Sequence, residues 1–89
     1  MEKIEVSHLV ELLRADNPRA SVGDLRMYAD MFHAYAEAQT NIQECGNVVI
    51  HPRTGAPVEN PYLKIRDKAG STLRKINLDK TETVWKLLP

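Results

Sequence analysis

The segment SVGDLRMYADMFHAYAEAQTNIQECG, residues 21–46, has no proline, carries glycine only near its two ends, and repeats its apolar side chains at helical spacing. Ser21 stands three residues before Asp24, a capping-box-like start that also places an acid at the helix N-terminus. Gly46 supplies a C-cap. The spacing therefore predicts one long helix over residues 22–45. Placed at about 100° intervals around the axis, its apolar residues form two stripes rather than one. Leu25, Tyr28, Ala29, Phe32, Ala36 and Gln39 make the first, with Tyr35 and Ile42 beside it. Met27, Met31, Ala34 and Ala38 make the second, and only a narrow strip of Arg26, Asp30, His33, Glu37 and Glu44 is polar. A chain of 89 residues has little with which to cover both stripes, so the second is read as an oligomer interface. The alternative is that it faces the chain's own helices.

Working outward, Leu9, Val10 and Leu13 set a short helix over residues 6–14, closed by the turn pair Asn17-Pro18. On the other side, Val48-Val49-Ile50 is a β-branched run, and His51 to Gly55 separates it from a second short segment, Ala56 to Glu59. This is a hairpin over residues 47–59. Pro52 and Pro57 lack amide donors and keep its strands short or at an edge. A lone two-stranded ribbon is marginal, so it is expected to pack on helices or on a neighbouring subunit. Asn60-Pro61 opens another helix, over residues 61–76. There Tyr62, Ile65, Ala69, Leu73 and Ile76 share one face, and Lys64, Lys68 and Lys75 share another, with Gly70 a weak point. A short terminal helix over residues 81–88 carries Val84, Trp85, Leu87 and Leu88. Trp85 either anchors it to the core or offers a contact to another protein. The fold class is mainly α: one domain, residues 1–89, with a long central helix, a short β-hairpin and one or two C-terminal helices.

The net charge of zero conceals an asymmetry. Residues 1–46 hold four basic and eight acidic side chains, whereas residues 47–89 hold eight basic and four acidic ones, so the halves carry −4 and +4. The chain has no apolar run long enough for a signal peptide or membrane span, and its single cysteine, Cys45, fits a reducing compartment such as cytoplasm. Enzyme chemistry finds no foothold. The glycines are dispersed, with no phosphate loop; His8, His33 and His51 have no ligand-spaced partners, so neither a metal nor another cofactor is expected. Cys45 reads as a small apolar residue at a helix end. The lysine stripe Lys64, Lys68 and Lys75 can track phosphates without reading bases, or can simply be a solvated face. Arg53, at the hairpin tip, can meet a phosphate, a carboxylate or only water.

The ordered elements Leu25-Arg26-Met27-Tyr28-Ala29, Tyr35-Ala36-Glu37-Ala38, Gly46-Asn47-Val48-Val49 and His51-Pro52-Arg53-Thr54-Gly55 through Asn60-Pro61-Tyr62-Leu63-Lys64-Ile65 resemble the phage terminase small subunit family. The resemblance covers about residues 25–76, and the Pro-x-Thr-Gly to Asn-Pro-Tyr segment is its most specific part. It implies a non-catalytic subunit in the bacterial host cytoplasm that forms a ring, binds viral double-stranded DNA and delivers it to the terminase large subunit, which carries the ATPase and nuclease. Candidate DNA contacts are Arg53, Lys64, Arg66, Lys68 and Lys75; these come from charge and position, not from family assignment. Beyond Ile76 the chain departs from the family's Leu-Gly-Leu-Thr-Pro-like element. The competing reading is a helical protein-interaction or regulatory module that does not bind DNA.

Overall fold

The computed structural model describes residues 5–88, so the expected domain span of 1–89 extends outside the described residues at both ends. In chain order the elements are α1 (Val6–Asp16), α2 (Val22–Cys45), β1 (Val48–Ile50), β2 (Pro57–Glu59), α3 (Tyr62–Lys75) and α4 (Glu82–Trp85). The protein is mainly helical, with one antiparallel two-stranded hairpin. Its dimensions are 51 × 25 × 17 Å. α2, 24 residues long and about 36 Å at the ordinary helical rise, is the spine.

α2 begins and ends where its caps dictate. Ser21 Oγ accepts a hydrogen bond from the Asp24 amide at 3.1 Å, and Gly46, at φ 83°, turns the chain out of the helix while its amide donates to the Ile42 carbonyl. The first apolar stripe is the core: Leu25, Tyr28, Ala29, Phe32 and Ala36 pack with Leu9 and Leu13 of α1, Leu73 of α3 and Val84 of α4. Each fully buried leucine or phenylalanine there contributes about 1.5–3 kcal/mol. On the opposite face, Arg26–Asp30 and His33–Glu37 are i,i+4 pairs at 3.7 and 3.6 Å along a solvated strip.

α3 runs antiparallel beside α2: its start is tied to Gly46 at the end of α2, and Gly70, further along, lies against the Tyr35 ring. This bears on the oligomer-interface expectation. Ala38 is fully buried within its own chain. Met31 and Ala34 are half-buried, and Met27 is 53% exposed. One stripe on the helix surface thus meets two environments.

Two buried asparagines close the frame. Asn60 Nδ2 donates to the Gly46 carbonyl and to Asn41 Oδ1, both at 2.9 Å, and its Oδ1 accepts from the Tyr62 amide at 3.0 Å. Helix α3 starts at Tyr62, so Pro61 sits just ahead of it with its backbone already helical, at φ −61°. At the other end, Asn17 Nδ2 donates to the Leu13 and Lys80 carbonyls at 3.0 and 2.6 Å, and Lys80 N donates back to Asn17 Oδ1 at 2.9 Å. This clamp draws α4 onto α1, where Thr83 Oγ1 donates to Asp16 Oδ2 at 2.6 Å. α1 runs two residues beyond the expected residue 14. α4 is shorter than the expected 81–88, since beyond Trp85 the backbone bonds become i→i+3 turns, from Leu87 to Val84 and from Leu88 to Trp85. Trp85 is an anchor: its Nε1 donates to Tyr28 Oη at 2.8 Å, and its ring meets Phe32 and Tyr35 edge-on at 5.0 and 5.3 Å.

The hairpin does not pack on its own helices as one alternative expected. Its strands lie beyond the end of α2, with Val48 59% and Ile50 64% exposed. Gly70, the weak point of α3, has room for a side chain, since a Cβ there would meet Tyr35 Cε2 at 3.6 Å, an ordinary contact. Gly70→Ala is therefore expected to stabilise the fold by about 1 kcal/mol through helix propensity, read as a rise in melting temperature. A fall would mean that the Tyr35 ring cannot accept the methyl.

Candidate nucleic-acid interface

Helix geometry separates the basic residues of α3 into two groups. Buried Ala69 and Leu73 define its inner face, and at 100° per residue Lys64, Lys68 and Lys75 fall together on the opposite face. All three are exposed and none has an ion-pair partner among the described residues. From Lys64 to Lys75 the stripe runs about 16 Å along the helix, the axial length of about five base pairs of duplex. Arg66 is not part of it. Two residues from both Lys64 and Lys68, it lies about half a turn away around the axis; its side chain is 30% exposed and it pairs with Asp67 at 3.3 Å.

Arg53 stands apart, in the loop of the hairpin. That loop is built by short-range bonds: the His51 amide donates to the Ala56 carbonyl and the Gly55 amide to the His51 carbonyl, both at 2.9 Å, with Gly55 at φ 70°. His51 Nδ1 accepts from the Arg53 and Thr54 amides at 3.1 and 3.4 Å, and Thr54 Oγ1 accepts from the Ala56 amide at 3.2 Å. The backbone at Arg53 is held while its guanidinium is free in solvent. His51 is thus a turn-former, a role its place in the sequence did not announce.

The histidines His8, His33 and His51 remain on α1, α2 and the hairpin loop. Among the described residues no group of three or more histidine, cysteine or acidic side chains could hold a metal ion, and no helix is long and apolar enough to cross a membrane. Cys45 is exposed and unpaired at the end of α2. Beside the lysine stripe, between α2 and α3, runs an apolar groove of about 200 Å³ lined by Met31, Ala34, Ile65, Ala69, Thr72 and the stem of Lys68.

These elements define a class: a small helical protein built on an antiparallel helix pair, with an outward basic helix face and a projecting hairpin. A family model described as phage terminase, small subunit, matches residues 3–79. The chain belongs to that family, which gives it a role in phage DNA packaging. No curated protein and no solved structure matches the chain.

Proposed function

We propose that this chain is the DNA-recognition subunit of a phage packaging machine. In this reading it assembles into an oligomer, holds viral double-stranded DNA and presents it to the large ATPase and nuclease subunit. The observation that supports DNA contact is the outward stripe of Lys64, Lys68 and Lys75, unpaired and aligned on one helix face. Ammonium groups in a row neutralise backbone phosphates, release counterions and read no bases. Arg53 adds a further cation at the hairpin tip. Arg66, paired and turned away, is left out of the contact set. Assembly uses Met27, Met31 and Ala34, the part of the second α2 stripe that the chain leaves exposed or only half-buried. Nothing in this role calls on a metal, a cofactor or a catalytic side chain of the chain's own.

The test is duplex binding followed by fluorescence anisotropy across a salt series. Each lost phosphate contact lowers the slope of log K against log salt by about 0.9. The triple variant Lys64→Gln, Lys68→Gln, Lys75→Gln should therefore lose between about two and three from that slope, and on the order of 10²-fold in affinity near 0.1 M salt. Arg19→Gln, between α1 and α2, should leave both unchanged. Equal slopes for the wild type and the triple variant would remove the proposed surface. Absence of salt-sensitive binding by the wild type would favour a protein-interaction module instead.

A further inference from the structure

Two apolar surfaces on this chain remain open to solvent, and they differ in shape. One is convex. Cross-strand pairing of Val48 with Glu59 and of Ile50 with Pro57 puts these four side chains on one face of the hairpin, where Val48 and Ile50 are 59% and 64% exposed. The other is concave: the groove between α2 and α3, where Ile65 remains 44% exposed beside Met31 and Ala34. At about 200 Å³, it accepts about one or two aliphatic side chains at protein packing density.

The geometry points to a head-to-tail contact in which the hairpin of one copy seats Ile50 and Val48 in the α2–α3 groove of the next. Charge agrees with shape. Glu59 shares the hairpin face with Val48 and Ile50, and Lys68 lines the groove, so in the assembly the acid of one copy meets this lysine of the other at the rim, and Lys64 and Lys75 remain the stripe's free cations for phosphate. A chain cannot fill its own groove this way. About 18 Å of helical rise separates Ala34 from Gly46, and Asn60 pins the base of the hairpin to Gly46 and Asn41. The occupant is therefore a second copy. Because donor and acceptor surfaces differ, the contact is heterologous: every copy gives one hairpin and receives one, and repetition closes a ring when the rotation permits.

This inference rests on the oligomeric reading above and names its interface. Light scattering coupled to size exclusion tests it with two single variants, Ile50→Asp and Ile65→Asp. Both side chains are exposed, so the melting temperatures should match the wild type and show that each variant folds. Each variant alone should run as a monomer where the wild type assembles. Mixed in equal amounts, they should form a dimer and go no further, because the intact hairpin of the Ile65→Asp chain fits the intact groove of the Ile50→Asp chain. Wild-type mass for Ile50→Asp, a mixture that stays monomeric, or a wild type that is monomeric at all concentrations overturns the inference. Duplex binding by the wild type, measured on the same samples, tells its failure apart from failure of the packaging role: salt-sensitive binding that persists leaves that role in place.

Discussion

Trp85→Ala is expected to lower the unfolding free energy by about 3 kcal/mol, a fall in melting temperature on the order of 15 °C for a domain of this size. The indole does three things at once. Its ring meets Phe32 and Tyr35 edge-on, its Nε1 donates to Tyr28 Oη, and its position on α4 keeps Val84 sealed against the core. Truncation removes the aromatic contacts and opens a void beside Phe32, which is fully buried. Trp85→Phe separates the parts: a ring remains and only the bond to Tyr28 is lost, so about 1 kcal/mol should go. Thermal unfolding followed by circular dichroism checks both. Equal losses for the two variants would mean that the hydrogen bond, not the packing, holds the helix.

Asn60→Ala should cost about 2–4 kcal/mol, since it removes the helix cap and leaves the Gly46 carbonyl, the Asn41 amide oxygen and the Tyr62 amide without their shared partner. Asn60→Asp is the informative companion. Aspartate is as good a helix cap as asparagine, but here both Nδ2 bonds run to oxygens, and a carboxylate would face those oxygens with no proton to offer. It should therefore fail to restore stability. Full recovery with aspartate would reduce Asn60 to an ordinary cap and contradict its part in fixing the hairpin to α2. Denaturant unfolding is the suitable measurement.

The same residue shows what a sequence can and cannot announce. Asn60-Pro61 marks a helix start from local chemistry alone, but its bonds to Gly46 and Asn41 depend on how two segments meet. Asn17 is similar: beside Pro18 it reads as a turn residue, and its second partner, Lys80, lies 63 positions away. α2 was legible to the residue, because caps at both ends and an uninterrupted 3.6-residue period are local signals. Which neighbour covers each of its faces was not, and so Ala38, one member of a stripe expected to meet another subunit, is buried within its own chain. The lysine stripe was legible for the same reason as α2, since spacings of four and seven return a side chain to one helix face. Arg66 was named as a DNA contact from its charge and position, and its place about half a turn away from the stripe is legible from the same helical spacing. The hairpin was placed correctly, and the exposure of its Val48 and Ile50 face follows from where α2 ends.

The clamp between Asn17 and Lys80 also has a consequence for how the molecule is made. Synthesis is vectorial, and α1 leaves the ribosome long before the segment that fastens it. Until residues 80–85 emerge, Leu9, Leu13 and Phe32 lack the wall supplied by Val84 and Trp85. The core is therefore completed only after the segment at residues 80–85 has emerged, and a nascent chain stalled within α3 is expected to leave that apolar cleft unsealed.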